Sequence, residues 1–302
     1  MSNAAPTLAS SAPAPASTER GVLAGLSRVG GFVRVSHTVF SLPLVLAGMW
    51  IGAEGWPAPR TLVLALVAAI GARTLAMALN RIIDRDIDAL NPRTASRELP
   101  SGRLRLAQGW AVAAVGLALY LGACGALGRL ILLLSPLPLF VFWGYPYLKR
   151  FTPLCHFGVG LALGLSPLAG WIAVTGGFDG WERILPLGLF GFFWVAGFDV
   201  IYATLDEAFD RAHGIHSLPA ALGPAGALRV SAWLHLLAFA SLVALWFVRG
   251  WTPSALLPLA FCGALLLLEQ RMAENVELAF FRINLVVGFA VLAMVGVGVF
   301  TR

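Results

Sequence analysis

Asn80, Asp84 and Asp88 recur at intervals of four residues, and Tyr202, Asp206 and Asp210 repeat that spacing. On a helix, such spacing lines each set along one side. Each set follows a long apolar run, Thr61–Leu79 and Leu185–Ile201. Carboxylates at such depth are costly and functional by default. Two facing pairs of carboxylates suit hard cations and a polyanionic ligand, which is the chemistry of a diphosphate held through Mg2+. Asp86 and Glu207, outside the two alignments, read as solvated loop acids.

The elements that must position these groups are apolar helices. Nine segments are long enough to span a bilayer at about 20 residues each: 36–53, 61–80, 107–127, 130–148, 153–175, 184–204, 226–248, 253–270 and 282–300. The expectation is an all-α, polytopic membrane bundle of nine transmembrane helices. Fifteen Lys and Arg residues fall on the side bearing the acidic motifs and five on the other. That asymmetry places the N-terminus and both motifs in the cytoplasm, with a cavity opening there. The motifs end the second and sixth spans, which suggests an internal repeat. The segments 81–106 and 205–225 read as long loops that could cap the cavity and exclude water.

Composition supports this class. Of 302 residues, 59% are hydrophobic and 12% charged, with mean hydropathy +0.82. A soluble domain carries about 25% charge. The net charge of +6 comes from 20 Arg and one Lys spread along the chain, so no nucleic-acid partner is expected. Cys124, Cys155 and Cys262 lie apart, without metal or redox spacing, and read as small core residues. Residues 1–20, rich in Ala, Pro and Ser, read as a disordered tail lacking the pattern of a signal peptide.

The first motif reads NRIIDRDIDALNPRTASRELPSG over residues 80–102, and the second DVIYATLDEAFDRAHGIHSLPAALG over 199–223. Together with YPYLKRFT at Tyr145–Thr152, these segments resemble the UbiA family of intramembrane prenyltransferases. The resemblance implies one prenyltransferase domain over 21–302. Arg81 stands where the family's first motif usually has an Asp. SHTVFSLP (Ser36–Pro43), ARTLAMALNRIID (Ala72–Asp84), KRFTPLCH (Lys149–His156) and FWVAGFDVIYA (Phe193–Ala203) look like the MqnP-like subgroup, associated with menaquinone made by the futalosine route. The implied reaction is transfer of a polyprenyl group from polyprenyl diphosphate to an aromatic acid, 1,4-dihydroxy-6-naphthoate, at the cell inner (plasma) membrane. The rival acceptor is 4-hydroxybenzoate, as in ubiquinone biosynthesis. A secondary transporter is the alternative of another class, but its charges should lie near mid-bilayer rather than at one face.

Roles follow for individual residues. Asp84, Asp88, Asp206 and Asp210 would bridge Mg2+ to the diphosphate, with Asn80 as an amide ligand. Asp199 lies about 10 Å deeper than Asp206 at the helical rise; it could order Tyr202 or a basic partner, or take the acceptor's proton. Arg73 must face an anion, either the acceptor carboxylate or Asp199. Lys149 and Arg150 could clamp the diphosphate, hold a carboxylate as the resemblance implies, or anchor the cytoplasmic side. Arg93 and Arg97 suit bidentate phosphate contacts. Tyr145, Tyr147, Phe198 and Tyr202 are candidates to stabilise an allylic cation. His37 and His156 read as hydrogen-bonded interface residues, His213 and His216 as loop residues, and Asn284 as a helix–helix contact. The glycines of Gly158–Gly164 read as close-packing residues.

Overall fold

The structure, a computed structural model, describes residues 29–33, 42–276 and 282–301. The tail over 1–20, His37 and most of Ser36–Pro43 lie outside them. The principal helices are α1 (Leu42–Ala53), α2 (Pro59–Ile83), α3 (Arg85–Leu90), α4 (Leu106–Leu127), α5 (Arg129–Leu134) and α6 (Pro136–Leu148), followed by α7 (Cys155–Thr175), α8 (Leu185–Ala203), α9 (Glu207–Ala212), α10 (Leu218–Arg249), α11 (Leu256–Arg271) and α12 (Asn284–Phe300). No strand occurs among the described residues.

Every expected apolar segment contributes a helix, but seven rather than nine are long and apolar enough to cross a membrane among the described residues. The exceptions are α1, with 12 residues, and α12, with 17. At 1.5 Å per residue the described parts of these helices reach about 18 and 26 Å against a core about 30 Å thick, and α1 begins at the first described residue of its segment.

Three boundaries differ from expectation for identifiable reasons. The fourth segment breaks between α5 and α6 at Ser135, where Pro136 lacks an N–H. The segment 205–225 is largely helical rather than a loop. α10 begins at Leu218, where the Ser217 hydroxyl accepts the Ala220 N–H at 3.3 Å and Pro219 occupies the first turn, a standard helix start. The chain kinks at Gly223, whose φ of +71° is left-handed. Finally, neither acidic set lies on one unbroken helix. α2 stops at Ile83, Asp84 is the joint, and α3 carries Asp88. The second set passes from α8 through a 3-10 turn, Thr204–Asp206, into α9.

Two apolar cores flank the site. The larger gathers α1, α7, α8, α10, α11 and α12 around Trp194, Phe190 and Met294. The smaller joins α2, α4 and α6 with Phe32. The small residues of α7 allow close approach to α8, as expected: a Cβ on Gly160 would come 2.5 Å from the Phe192 carbonyl oxygen. α2 packs extensively on α4, and α8 on α7 and α10. In each half, therefore, the motif-bearing helix is fixed against a neighbour.

Asn284 is the expected helix–helix contact. It accepts from Trp194 Nε1 on α8 at 2.6 Å and donates to Glu269 Oε1 on α11 at 2.7 Å. Asn284 and Glu269 are fully buried. Asn284→Ala strands both partners, which costs about 1–3 kcal/mol per buried group. The expected result is a lower thermal midpoint in detergent with little change in KM. An unchanged midpoint would show that the neighbours re-pair.

Candidate active site

The ends of α2, α6, α7 and α8, with the two motif segments, enclose a cavity of about 210 Å3. All four aligned carboxylates line it, as do Asn80, Asp199 and Tyr202. So do Arg93, Arg97 and Lys149. Ligand pockets run from about 300 Å3 upward, so this space suits a polar headgroup rather than a long hydrocarbon.

Three acids each hold a base. Lys149 Nζ lies 2.7 Å from Asp84 Oδ2. Arg97 donates to both oxygens of Asp88 at 2.6 and 2.7 Å. Arg93 donates Nε–H to Asp206 Oδ1 at 2.8 Å, pairs with Oδ2 through one terminal nitrogen, and reaches the Tyr202 hydroxyl with the other at 2.7 Å. Burial is the largest single influence on Arg93 and lowers its pKa, but the hydrogen bonds and charges of Asp206 and Tyr202 together outweigh it, and the net direction is up. The fourth acid, Asp210, accepts from the Ser217 hydroxyl at 2.7 Å.

Asp84 is the least satisfied of these acids. Its Oδ1 is buried and has no hydrogen-bond partner among the described residues. Burial pushes its pKa up, and Lys149 only partly opposes this. Asn80 Nδ2 donates to Oδ2 at 3.0 Å. An anionic Asp84 would be relieved by a cation at Oδ1, and the oxygen-rich donor set is that of a hard divalent ion. Among the described residues, no three His, Cys, Asp or Glu side chains form a group that could hold a metal ion by themselves. Mg2+ takes one or two carboxylates and completes its shell with phosphate oxygens and water.

The other expected site residues divide. Arg73 does not line the cavity, but it interacts with Tyr145, which does. Its Nε is buried with no hydrogen-bond partner among the described residues. Asp199 is not its partner: that carboxylate accepts from His156 Nδ1 at 2.7 Å. Arg150 is directed elsewhere, donating to the Ile83 carbonyl at 2.8 Å and lying 5.2 Å from the Tyr147 ring centre. It thus satisfies an end carbonyl of α2 rather than facing the cavity. Arg81 also stays out of the lining and sits 3.9 Å from Asp88 Oδ2, adding a second cation near that acid.

Of the four aromatic candidates, Tyr145 and Tyr202 line the cavity, while Tyr147 and Phe198 do not. Phe198 packs edge-on against Trp194 in the larger core. Phe209 is a lining ring that sequence reasoning missed.

Asn91 was also missed. Its Nδ2 donates to Asp206 Oδ1 at 2.7 Å and its Oδ1 accepts the Arg93 N–H at 3.0 Å. It therefore ties the first motif to the second. The visible signal was the Asn-Pro at 91–92, a turn signature. Ser217 was missed as an Asp210 partner, and its helix-start position was the readable signal. Two small-core assignments hold, since Cys124 and Cys262 are buried. Cys155 is half-buried and lines the cavity.

Comparison with known proteins agrees with this architecture. A UbiA homolog from Aeropyrum pernix K1 superposes with a TM-score of 0.78 at 36% identity, covering 88% of this chain and 97% of that one. A UbiA homolog from Archaeoglobus fulgidus bound to GPP and Mg2+ gives 0.66 at 19% identity, covering 88% and 99%. The 4-hydroxybenzoate octaprenyltransferase of Yersinia pseudotuberculosis is 28% identical over 258 residues, 81% of this chain and 85% of that protein. Residues 41–286 match the UbiA prenyltransferase family, and the chain belongs to it.

Proposed function

We propose that this cavity binds polyprenyl diphosphate through Mg2+ and transfers the polyprenyl group to an aromatic acid. The observation that carries this reading is the set of three acid–base pairs in one cavity, Asp84–Lys149, Asp88–Arg97 and Asp206–Arg93. Such pairs can exchange partners, the acids turning to cations and the bases to phosphate oxygens. Asn80, Asp84, Asp88, Asp206 and Asp210 would hold Mg2+, which supplies charge neutralisation of the leaving diphosphate. Lys149, Arg93 and Arg97 would bind and orient the phosphates. Tyr145 and Tyr202, both in the lining, would stabilise the developing allylic cation, and the motif segments would limit access of water. Asp199 would take the proton lost from the acceptor ring, and Arg73 would pair with the acceptor carboxylate.

The acceptor reading moves from the menaquinone route to 4-hydroxybenzoate. The relatives named 4-hydroxybenzoate octaprenyltransferase favour it, whereas only the motif resemblance, with Arg81, favours 1,4-dihydroxy-6-naphthoate. Competition between the two acceptors with one polyprenyl diphosphate decides the matter, and the expected winner is 4-hydroxybenzoate. Preference for the naphthoate would restore the menaquinone reading. No Mg2+-dependent diphosphate release with either acceptor would favour transport instead.

The same reading makes this a multi-pass inner-membrane protein of nine spans with the cavity on the cytoplasmic side. The support is the basic asymmetry. A Ser96→Cys variant on a cysteine-free background should resist an impermeant thiol reagent in intact cells and react in broken ones. Labelling in intact cells would reverse the orientation.

A further inference from the structure

His156 has two partners from opposite directions. It is the second residue of α7 and only 2% exposed. Its Nδ1 is 2.7 Å from Asp199 Oδ2, and its Nε2 accepts the Leu218 N–H at 3.3 Å. A backbone N–H can only donate, so Nε2 must offer a lone pair. The ring proton is then on Nδ1, and it is donated to Asp199. A doubly protonated ring would set Nε2–H against the Leu218 N–H. Geometry thus aims Nδ1–H at the Asp199 carboxylate.

Asp199 differs from the three paired acids in this cavity: no Lys or Arg is bound to it among the described residues. It lies on α8, before the 3-10 turn that carries Asp206, and lines the cavity with Tyr145, whose hydroxyl feels the charges of both Asp199 and Arg73. That is where an acceptor held by Arg73 would place its ring. We propose that His156 is a positioning residue for Asp199. Held in its Nδ1–H form by the Leu218 N–H, it keeps the carboxylate turned toward the cavity to receive the acceptor's ring proton. Leu218 opens α10 immediately after the second motif segment, so docking of that segment also fixes the base.

The inference rests on the prenyl-transfer reading. In that reaction the C1–O bond of the donor breaks and its electron pair leaves with the diphosphate. A ring carbon of the acceptor bonds to C1. The proton on that carbon passes to an Asp199 oxygen, and its C–H electron pair restores aromaticity. In the wild-type protein, proton loss should follow carbon–carbon bond formation quickly, so ring deuteration should not slow turnover.

The experiment compares wild type with His156→Ala, His156→Asn and His156→Gln, using 4-hydroxybenzoate with and without deuterium beside the hydroxyl. His156→Ala should lower kcat by ~10^2, the usual worth of a placed general base. The KM for polyprenyl diphosphate should stay within about twofold, since the phosphate-binding groups are untouched. A ring-deuterium isotope effect should emerge in this variant because proton removal has become slow. His156→Asn, whose amide N–H can replace Nδ1–H, should recover activity about tenfold over the Ala variant, whereas His156→Gln should not. An unchanged kcat, or a loss with no isotope effect and no recovery by Asn, overturns the proposal. Should His156→Ala fail to fold, the Asn–Gln pair and its isotope effects carry the same test. Failure of the wild-type protein to prenylate either 4-hydroxybenzoate or 1,4-dihydroxy-6-naphthoate would overturn the prenyl-transfer reading instead.

Discussion

Asp84→Ala, Asp88→Ala, Asp206→Ala and Asp210→Ala should each lower Mg2+-dependent diphosphate release by at least ~10^2–10^3, the range for losing one preorganised electrostatic group. The physical reason is the leaving group. An allylic diphosphate departs only when its charge is neutralised, and these four carboxylates are the acids aligned on the cavity with Asn80 and Tyr202. Asp84 should be the most sensitive, because its buried Oδ1 lacks a hydrogen-bond partner among the described residues. Asp88 and Asp206 each release an arginine when mutated, so those variants lose a cation ligand and misplace a phosphate ligand together. Glu207→Ala is the control. That side chain pairs with Arg211 one turn along α9 at 2.6 Å and does not line the cavity, so turnover should stay within about twofold. Membrane insertion, read by fractionation, should be normal throughout. Near-wild-type turnover in any two of the four Asp variants would remove the metal–diphosphate reading.

What the sequence made legible follows from how each signal arises. Apolar runs and aligned acids are local patterns, so the helices and four of the site carboxylates could be read directly. Pairing is not local. Nothing near Lys149 says that it will meet Asp84 rather than anchor the membrane surface, because the contact joins the end of α6 to the end of α2. Arg150, its neighbour, turns instead to the Ile83 carbonyl. One helical position separates a cavity ligand from a cap. Asn91 and Ser217 were hidden differently: each sits at a turn or helix start, where its type already has a local explanation. His156 had an equally ordinary reading as a hydrogen-bonded interface residue. Its significance depends on Asp199, 43 residues away.

Arg73→Met should raise the KM for the aromatic acid by ~10^2 or more, the loss expected when one member of a buried charge pair is removed. The KM for polyprenyl diphosphate should change little, because Arg73 is not among the residues that line the cavity. Arg73 is half-buried, and a guanidinium within an apolar span is costly unless an anion meets it. Its Nε has no hydrogen-bond partner among the described residues, and Asp199 is engaged with His156. An acceptor carboxylate would complete the pairing while leaving the ring between Tyr145 and Asp199. An acceptor in which an uncharged amide replaces the carboxylate supplies the internal control. It should be poor with the wild-type protein and no worse with Arg73→Met, since the interaction it lacks is the one the variant removes. Equal losses with the acid and the amide would mean that Arg73 serves the fold rather than the substrate. Arg150→Met should spare the acceptor KM, because its guanidinium is held by the end of α2. If Arg150→Met instead raised that KM while Arg73→Met did not, the acceptor would lie at the cavity mouth, and Asp199 would be too deep to receive its proton.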